Sequence, residues 1–357
     1  DCAAAESPAE AAAQAVAGGT VAVIVDAGHA SFEGVCVAVR EEKGAEGVAL
    51  LAVVRDPMRD AADLERAFHL GAADYVTAGS IHQLRHRAAA LAQGDPWAGV
   101  RAPAGRAVIA DGNRARRAAL GRILHQWGFH LAFAESEADM SAHVRAGQQP
   151  RIVLADVDLP PDGAFAALGR LRAARHGAGT PCLVLVDPAR IAAARTAVKD
   201  LAPAAIYDRS GPPENVVFAV NDLVQPRGRD MRRSPRLLYG APASFRVDAA
   251  SEPIWAYTYN VNLSGLYVRT LVPPPLNTVL HVEFRPPLGE GFVAMGAQVM
   301  WRRAPGSDPG PMYPPGMGVQ FVRRPLADEA GFCAGYAEML REAGLLDVPA
   351  DAADRPT

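Results

Sequence analysis

Arg232-Arg233-Ser234-Pro235-Arg236 and Asn260-Val261-Asn262-Leu263-Ser264-Gly265-Leu266-Tyr267-Val268 decide how this chain is read. A guanidinium is planar, permanently charged and carries five donors, so it can fork onto a phosphate or a guanine edge and stack flat on a base. Asn side chains supply donor and acceptor together, and Gly lets backbone come close to a ligand. Two arginines four apart, ahead of a polar Asn and Gly turn, make an anion and purine clamp. Taken alone, the Asn run reads first as a hairpin turn, and the Arg run has a solvated linker as its alternative.

Working outward, the pattern beyond Ala241 is all β. Residues 244–247, 255–260, 265–270, 279–284, 293–301 and 318–322 are short alternating or β-branched runs. Pro, Gly, Asn and Asp clusters separate them, notably Pro273-Pro274-Pro275. Evenly spaced short strands predict a small antiparallel barrel. Residues 326–346 carry Phe332, Tyr336 and Leu340 at helical spacing, a terminal helix that packs on the barrel.

Upstream, strands alternate with helices, which predicts α/β doubly wound folding. Residues 104–226 hold five β-α units. Their first strand ends at Asp111 and their third at Asp156. Residues 1–95 hold only part of such a pattern, with strands at 20–25, 48–54 and 73–77, the first running into Asp26. Residues 94–105 read as a linker and 227–231 as a basic connector. The expected domains are therefore 1–95, 104–226 and 230–346.

Composition bounds the function. At 357 residues the chain suits two or three domains, and with half its residues hydrophobic each can build a core. A formal charge of -3 gives no global basic field, which argues against nucleic acid as partner. Four cysteines without a CxxC argue against zinc and a disulfide framework, and suit the cytoplasm. No apolar run approaches the roughly 20 residues of a membrane span. The chain opens on Asp1, so a preceding segment is expected. His82 and His86 read as a solvated helix face, and with no GxSxG, P-loop or HExxH the chain is not expected to be an enzyme.

The C-terminal stretch resembles the PilZ domain, the cyclic-di-GMP receptor module. Arg232 and Arg236 match that family's Arg-x-x-x-Arg motif. Asn260 and Gly265 match the ends of its Asp/Asn-x-Ser-x-x-Gly motif, with Asn262 where the family has Ser. Val299-Met300-Trp301 and the run from Pro315 to Phe321 look like its fifth and sixth strands. The resemblance implies a cyclic-di-GMP site built from Arg232, Arg233, Arg236, Asn260, Asn262 and Gly265, with no tightly bound cofactor.

Residues 104–226 resemble a response-regulator receiver domain, and 1–95 a truncated, degenerate copy with Asp26 ending its phospho-acceptor strand. Asp156-Val157-Asp158-Leu159-Pro160-Pro161-Asp162-Gly163 is close to the phospho-acceptor signature. That resemblance implies Asp156 as acceptor, Asp111 and Arg209 as support, and Mg²⁺ on Asp111 and Asp156. Gly112 replaces the second acid, Val186 the hydroxyl residue and Arg209 the lysine, which favours a pseudo-receiver that docks or dimerises.

Three readings stand. The first is a non-enzymatic cyclic-di-GMP effector whose receiver-like domains relay or assemble, through unknown protein partners or as a homodimer. The second is a PilZ scaffold that has lost its ligand. The third is a regulator phosphorylated at Asp156.

Overall fold

The computed structural model describes residues 3–45, 48–93, 104–146, 149–174, 177, 179–210, 215–224, 234–248, 250–289, 291–304, 313–323 and 329–342. Helix α1 (Pro8–Ala15) is followed by β1 (Ala22–Asp26), α2 (Phe32–Glu41), β2 (Ala49–Val54), α3 (Ala61–His69), β3 (Asp74–Thr77) and α4 (Ile81–Gln93). The strands form a parallel sheet in the order β1-β2-β3. Its middle strand β2 is buried at five of its six residues. A strand covered on both faces has no polar side, hence the unbroken apolar run. Asp26 ends β1 exposed, and its carboxylate accepts the Gly28 amide at 2.9 Å.

The second sheet comprises β4 (Gly105–Ala110), α5 (Arg114–Gln126), β5 (Phe129–Ala134), α6 (Glu137–Arg145), β6 (Ile152–Asp156), α7 (Ala164–Ala173), β7 (Cys182–Val186), α8 (Ile191–Lys199), β8 (Ala204–Asp208) and α9 (Val216–Val224). Its order is β5-β4-β6-β7-β8, all parallel. That is the 2-1-3-4-5 order of receiver-like and flavodoxin-like folds, whose switch point lies between the first and third strands. β6 and β7 are wholly buried.

The C-terminal strands are β9 (Leu237–Leu238), β10 (Pro242–Arg246), β11 (Ile254–Asn262), β12 (Gly265–Arg269), β13 (Val279–Phe284), β14 (Val293–Arg303) and β15 (Gly316–Arg323), with α10 (Glu329–Glu342) after them. The order β10-β13-β14-β15-β12-β11 closes through β10–β11 pairing, and β9 adds to β11. Closure leaves no bare edge among the six strands. Phe245, Val261, Val268, Val282 and Phe284 fill the barrel, and Phe332 of α10 meets Phe284 edge-on at 5.8 Å.

Chain order would set the first sheet beside the second. Instead the first sheet and the barrel form one compact unit, and the second sheet forms the other. The join is built from buried polar groups. Asp74 opens β3 and Arg87 lies on α4; both are fully buried, with Arg87 Nε 3.1 Å from Asp74 Oδ2. Arg87 Nη2 donates to the Trp255 carbonyl of β11 at 2.6 Å, and the Leu271 amide donates to Asp74 Oδ2 at 2.8 Å. The Tyr75 hydroxyl donates to the Ala256 carbonyl at 3.0 Å. Phe68 stacks on Tyr257 at 4.2 Å, with the Arg269 guanidinium 4.4 Å from the Phe68 ring centre. The periodicity of residues 1–95 gives these strands and helices but holds no sign of a partner nearly two hundred residues away.

Candidate functional site

The β11–β12 hairpin carries the Asn run. Asn262 pairs with Gly265 and Asn260 with Tyr267, leaving Leu263 and Ser264 as the turn. Val261 is in the barrel core, so alternation puts Asn260 and Asn262 on the outer face. β9 lies antiparallel to β11 with Leu237 opposite Val261. Leu237 also enters the core, so the same register sets half-buried Arg236 level with Asn262 on the outer face. Arg236, Asn260 and Asn262 are thus brought together. Arg232 and Arg233 lie outside the described residues.

Ser234, two positions before Arg236, is tied onto the turn. Its hydroxyl accepts the Leu263 amide at 3.2 Å, and its carbonyl accepts Asn262 Nδ2 at 3.3 Å. Asn262 Oδ1 accepts the Ser264 amide at 3.1 Å and the Ser264 hydroxyl at 3.3 Å. The Tyr336 hydroxyl of α10 donates to the Pro235 carbonyl. Asn262 therefore spends one end of its carboxamide on the leading segment and the other on its own turn. Asn260 differs: it is 2% exposed, and its Nδ2 has no hydrogen-bond partner among the described residues.

Gly265 has a packing reason to be glycine. A Cβ there would lie 2.0 Å from the Val319 carbonyl oxygen. Glycine is needed because β12 and β15 approach closely, with Gly265 opposite Gln320.

A second cluster lies at the carboxyl ends of β4 and β6, the switch point of the second sheet. Asp111 and Asp156 are both there and buried, at 0% and 2% exposure. Arg116, in the first turn of α5, spans them: Nη2 is 2.9 Å from Asp111 Oδ1 and 2.8 Å from Asp156 Oδ2, and Nε also bonds Asp111. Arg209 Nη1 donates to both Asp156 oxygens at 3.0 and 2.9 Å and to Asp158 at 3.0 Å, while its other nitrogens hold Asp187. The hydrogen bond that Arg116 donates to Asp111 holds its guanidinium above its ordinary pKa. Arg190, then Arg209, hold the Asp158 carboxyl below the usual carboxylate range. The residues expected to hold Mg²⁺ do meet, but with a guanidinium between them. Among the described residues, no three His, Cys, Asp or Glu side chains are grouped to hold a metal.

Sequence reasoning missed Ser234, Tyr336, Arg116 and Asp187. Arg116 had a visible signal, since it lies three residues after Asn113, the helix cap that accepts its amide at 3.0 Å. That spacing fixes Arg116 in the first turn, beside the rim.

Comparison with known proteins agrees with the barrel. Residues 230–331 match the PilZ domain model, under a third of the chain. This segment is a PilZ domain. No curated protein matches the chain. Among solved structures, one from Chloroflexus aurantiacus described as a response regulator is 20% identical, with 34% of this chain and 98% of that one covered at a TM-score of 0.32. The chemotaxis response regulator CheY4 of Vibrio cholerae is 15% identical, covering 33% and 98% at 0.30. The receiver domain of a Pseudomonas aeruginosa sensor histidine kinase is 13% identical, covering 34% and 98% at 0.31. Among the described residues, no helix is long and apolar enough to cross a membrane.

Proposed function

We propose that the chain is a non-enzymatic, cytoplasmic effector that binds cyclic-di-GMP at the outer face of the PilZ barrel, with the receiver-like sheets serving relay or assembly. The observation that carries this reading is the Asn260 carboxamide, buried with an Nδ2 that has no partner among the described residues, on the face it shares with Arg236. A buried donor without an acceptor costs about 1–3 kcal/mol. A guanine O6 or N7 supplies that acceptor. Ser234, which follows Arg232 and Arg233 in the chain, is bonded to Asn262 and Leu263 of the hairpin. Each guanidinium closing on a phosphate or guanine contributes about 1.5–3 kcal/mol in charge-assisted hydrogen bonds. Arg232, Arg233 and Arg236 clamp the ligand, Asn260 meets a base edge, and Asn262 orients the clamp.

Calorimetry with cyclic-di-GMP tests this. Arg232→Ala should weaken binding roughly 10- to 150-fold, and Asn260→Ala about tenfold. Wild-type chain that gives no heat at millimolar ligand would sink the receptor reading.

The engagement of Asn262 favours a second reading, a scaffold in which the turn holds the leading segment and takes no ligand. Absent binding together with an unaltered fold in Arg232→Ala would support it.

A further inference from the structure

The switch point of a doubly wound sheet is where such folds take a ligand, outside the carboxyl ends of the strands. In this chain the place is already filled from within. Asp111 and Asp156 sit side by side on the rim and are buried, so their charges demand compensation. A divalent cation would need their oxygen lone pairs. Each of the four carboxylate oxygens already accepts a hydrogen bond, and three of them accept two. Asp111 Oδ1 takes the Asn113 amide at 2.7 Å and Arg116 at 2.9 Å. Asp156 Oδ2 takes Arg116 at 2.8 Å and Arg209 at 2.9 Å. Asp156 Oδ1 takes the Asp158 amide at 3.1 Å and Arg209 at 3.0 Å.

We propose that Arg116 and Arg209 are the resident cations of this rim, standing in place of a divalent metal, and that Asp156 is a structural anchor and not a phosphate acceptor. A metal between the two carboxylates would meet the Arg116 guanidinium, cation against cation. A carboxylate oxygen attacking a phosphoryl group needs a free lone pair and a screening cation beside it, and both oxygens here are committed to guanidinium donors. Arg209 extends the lock outward, joining Asp156 to Asp158 and Asp187. Arg190 bonds Asp158 from the far side. The loops after β6, β7 and β8 are therefore pinned to one another by charge, and the module presents one fixed rim. This deepens the pseudo-receiver reading by naming what replaced the switch, and it is independent of ligand binding at the barrel.

The full chain is melted in millimolar MgCl₂ and in NaCl of matched ionic strength, and its intact mass is measured after incubation with acetyl phosphate and MgCl₂. Wild type should melt at the same temperature in both salts and gain no phosphate. In Arg116→Gln the two carboxylates lose the guanidinium that joins them, so the second unit should melt lower and Mg²⁺ should restore part of the loss. A Mg²⁺-specific rise in wild type, or a phosphate adduct that Asp156→Asn abolishes, overturns the proposal. So does an Arg116→Gln chain that melts as wild type does in both salts. Should that variant fail to fold, the wild-type melts and masses decide by themselves.

Discussion

Arg87→Ala removes the guanidinium that lies 3.1 Å from Asp74 where the first sheet meets the barrel, both side chains being fully buried. Breaking a buried pair from one side leaves an uncompensated charge and costs about 3–5 kcal/mol. The Trp255 carbonyl also loses a donor at 2.6 Å, but the two losses share one side chain and do not add. We expect about 4 kcal/mol. At about 2–4 °C per kcal/mol for a unit of roughly 200 residues, its melting temperature should fall by about 8–16 °C. Burial already raises the Asp74 carboxyl, against the pull of Arg87 and of the Leu271 and Tyr75 amides; without Arg87 it rises further. A carboxyl raised in the folded state binds its proton more tightly there than in the unfolded chain. The penalty is therefore full above the raised folded value and shrinks as pH falls through it. Calorimetric melts across pH measure this, with Cys36 as a local probe: its thiol is 1% exposed and burial pushes it up to about 11, so alkylation reports opening of the first sheet. Asp74→Asn with Arg87→Met removes both charges but leaves one carboxamide oxygen for two amides, Tyr75 on Oδ1 and Leu271 on Oδ2. It should recover most of the loss, short of about 1–3 kcal/mol. A cost under about 1 kcal/mol for Arg87→Ala, flat with pH, would refute the reasoning.

Gly265→Ala puts a methyl 2.0 Å from the Val319 carbonyl oxygen, so β12 and β15 must part; urea unfolding should show a loss of about 1–3 kcal/mol or more. Asp158 is held below its ordinary pKa by Arg190 and Arg209, so its stabilising contribution is present above the unfolded value near 4 and is lost as pH falls through the lower folded one. Acid titration of the second unit should show this as a small loss, because the group is half exposed and solvent screens it. Cys182, fully buried with its thiol pushed up to about 11, should resist thiol reagents at pH 8 until that unit unfolds.

Local pattern made much of this fold legible. The apolar run at β2, the alternation at β13 and the spacing of Phe332 and Tyr336 each predicted the element that forms. Those signals report which face of one segment is buried, and that is settled within a few residues. What stayed hidden depends on partners distant in sequence. Asp74 looked like an ordinary strand residue, yet it is the acceptor for Leu271, whose amide arrives from the far end of β12. Gly265 was singled out by a motif match, which cannot show that a carbonyl on β15 occupies the space a side chain would need. Nothing in the helix pattern singled out Arg116, and only the rim geometry shows it between two carboxylates.

The β11–β12 hairpin joins two of these features. At one end Asn262 faces Gly265 beside the Ser234 anchor; at the other Tyr257 faces Arg269, where the first sheet packs. The strands are paired along that length, with one irregularity between Thr258 and Asn260. Bulges add local twist and re-aim side chains, and this one lies next to the Asn260 carboxamide. A ligand that drew on Asn260 would therefore act on the same paired strands whose far end is bonded to Arg87 and Tyr75. The first sheet thus braces the far end of the strands that carry Asn260 and Asn262.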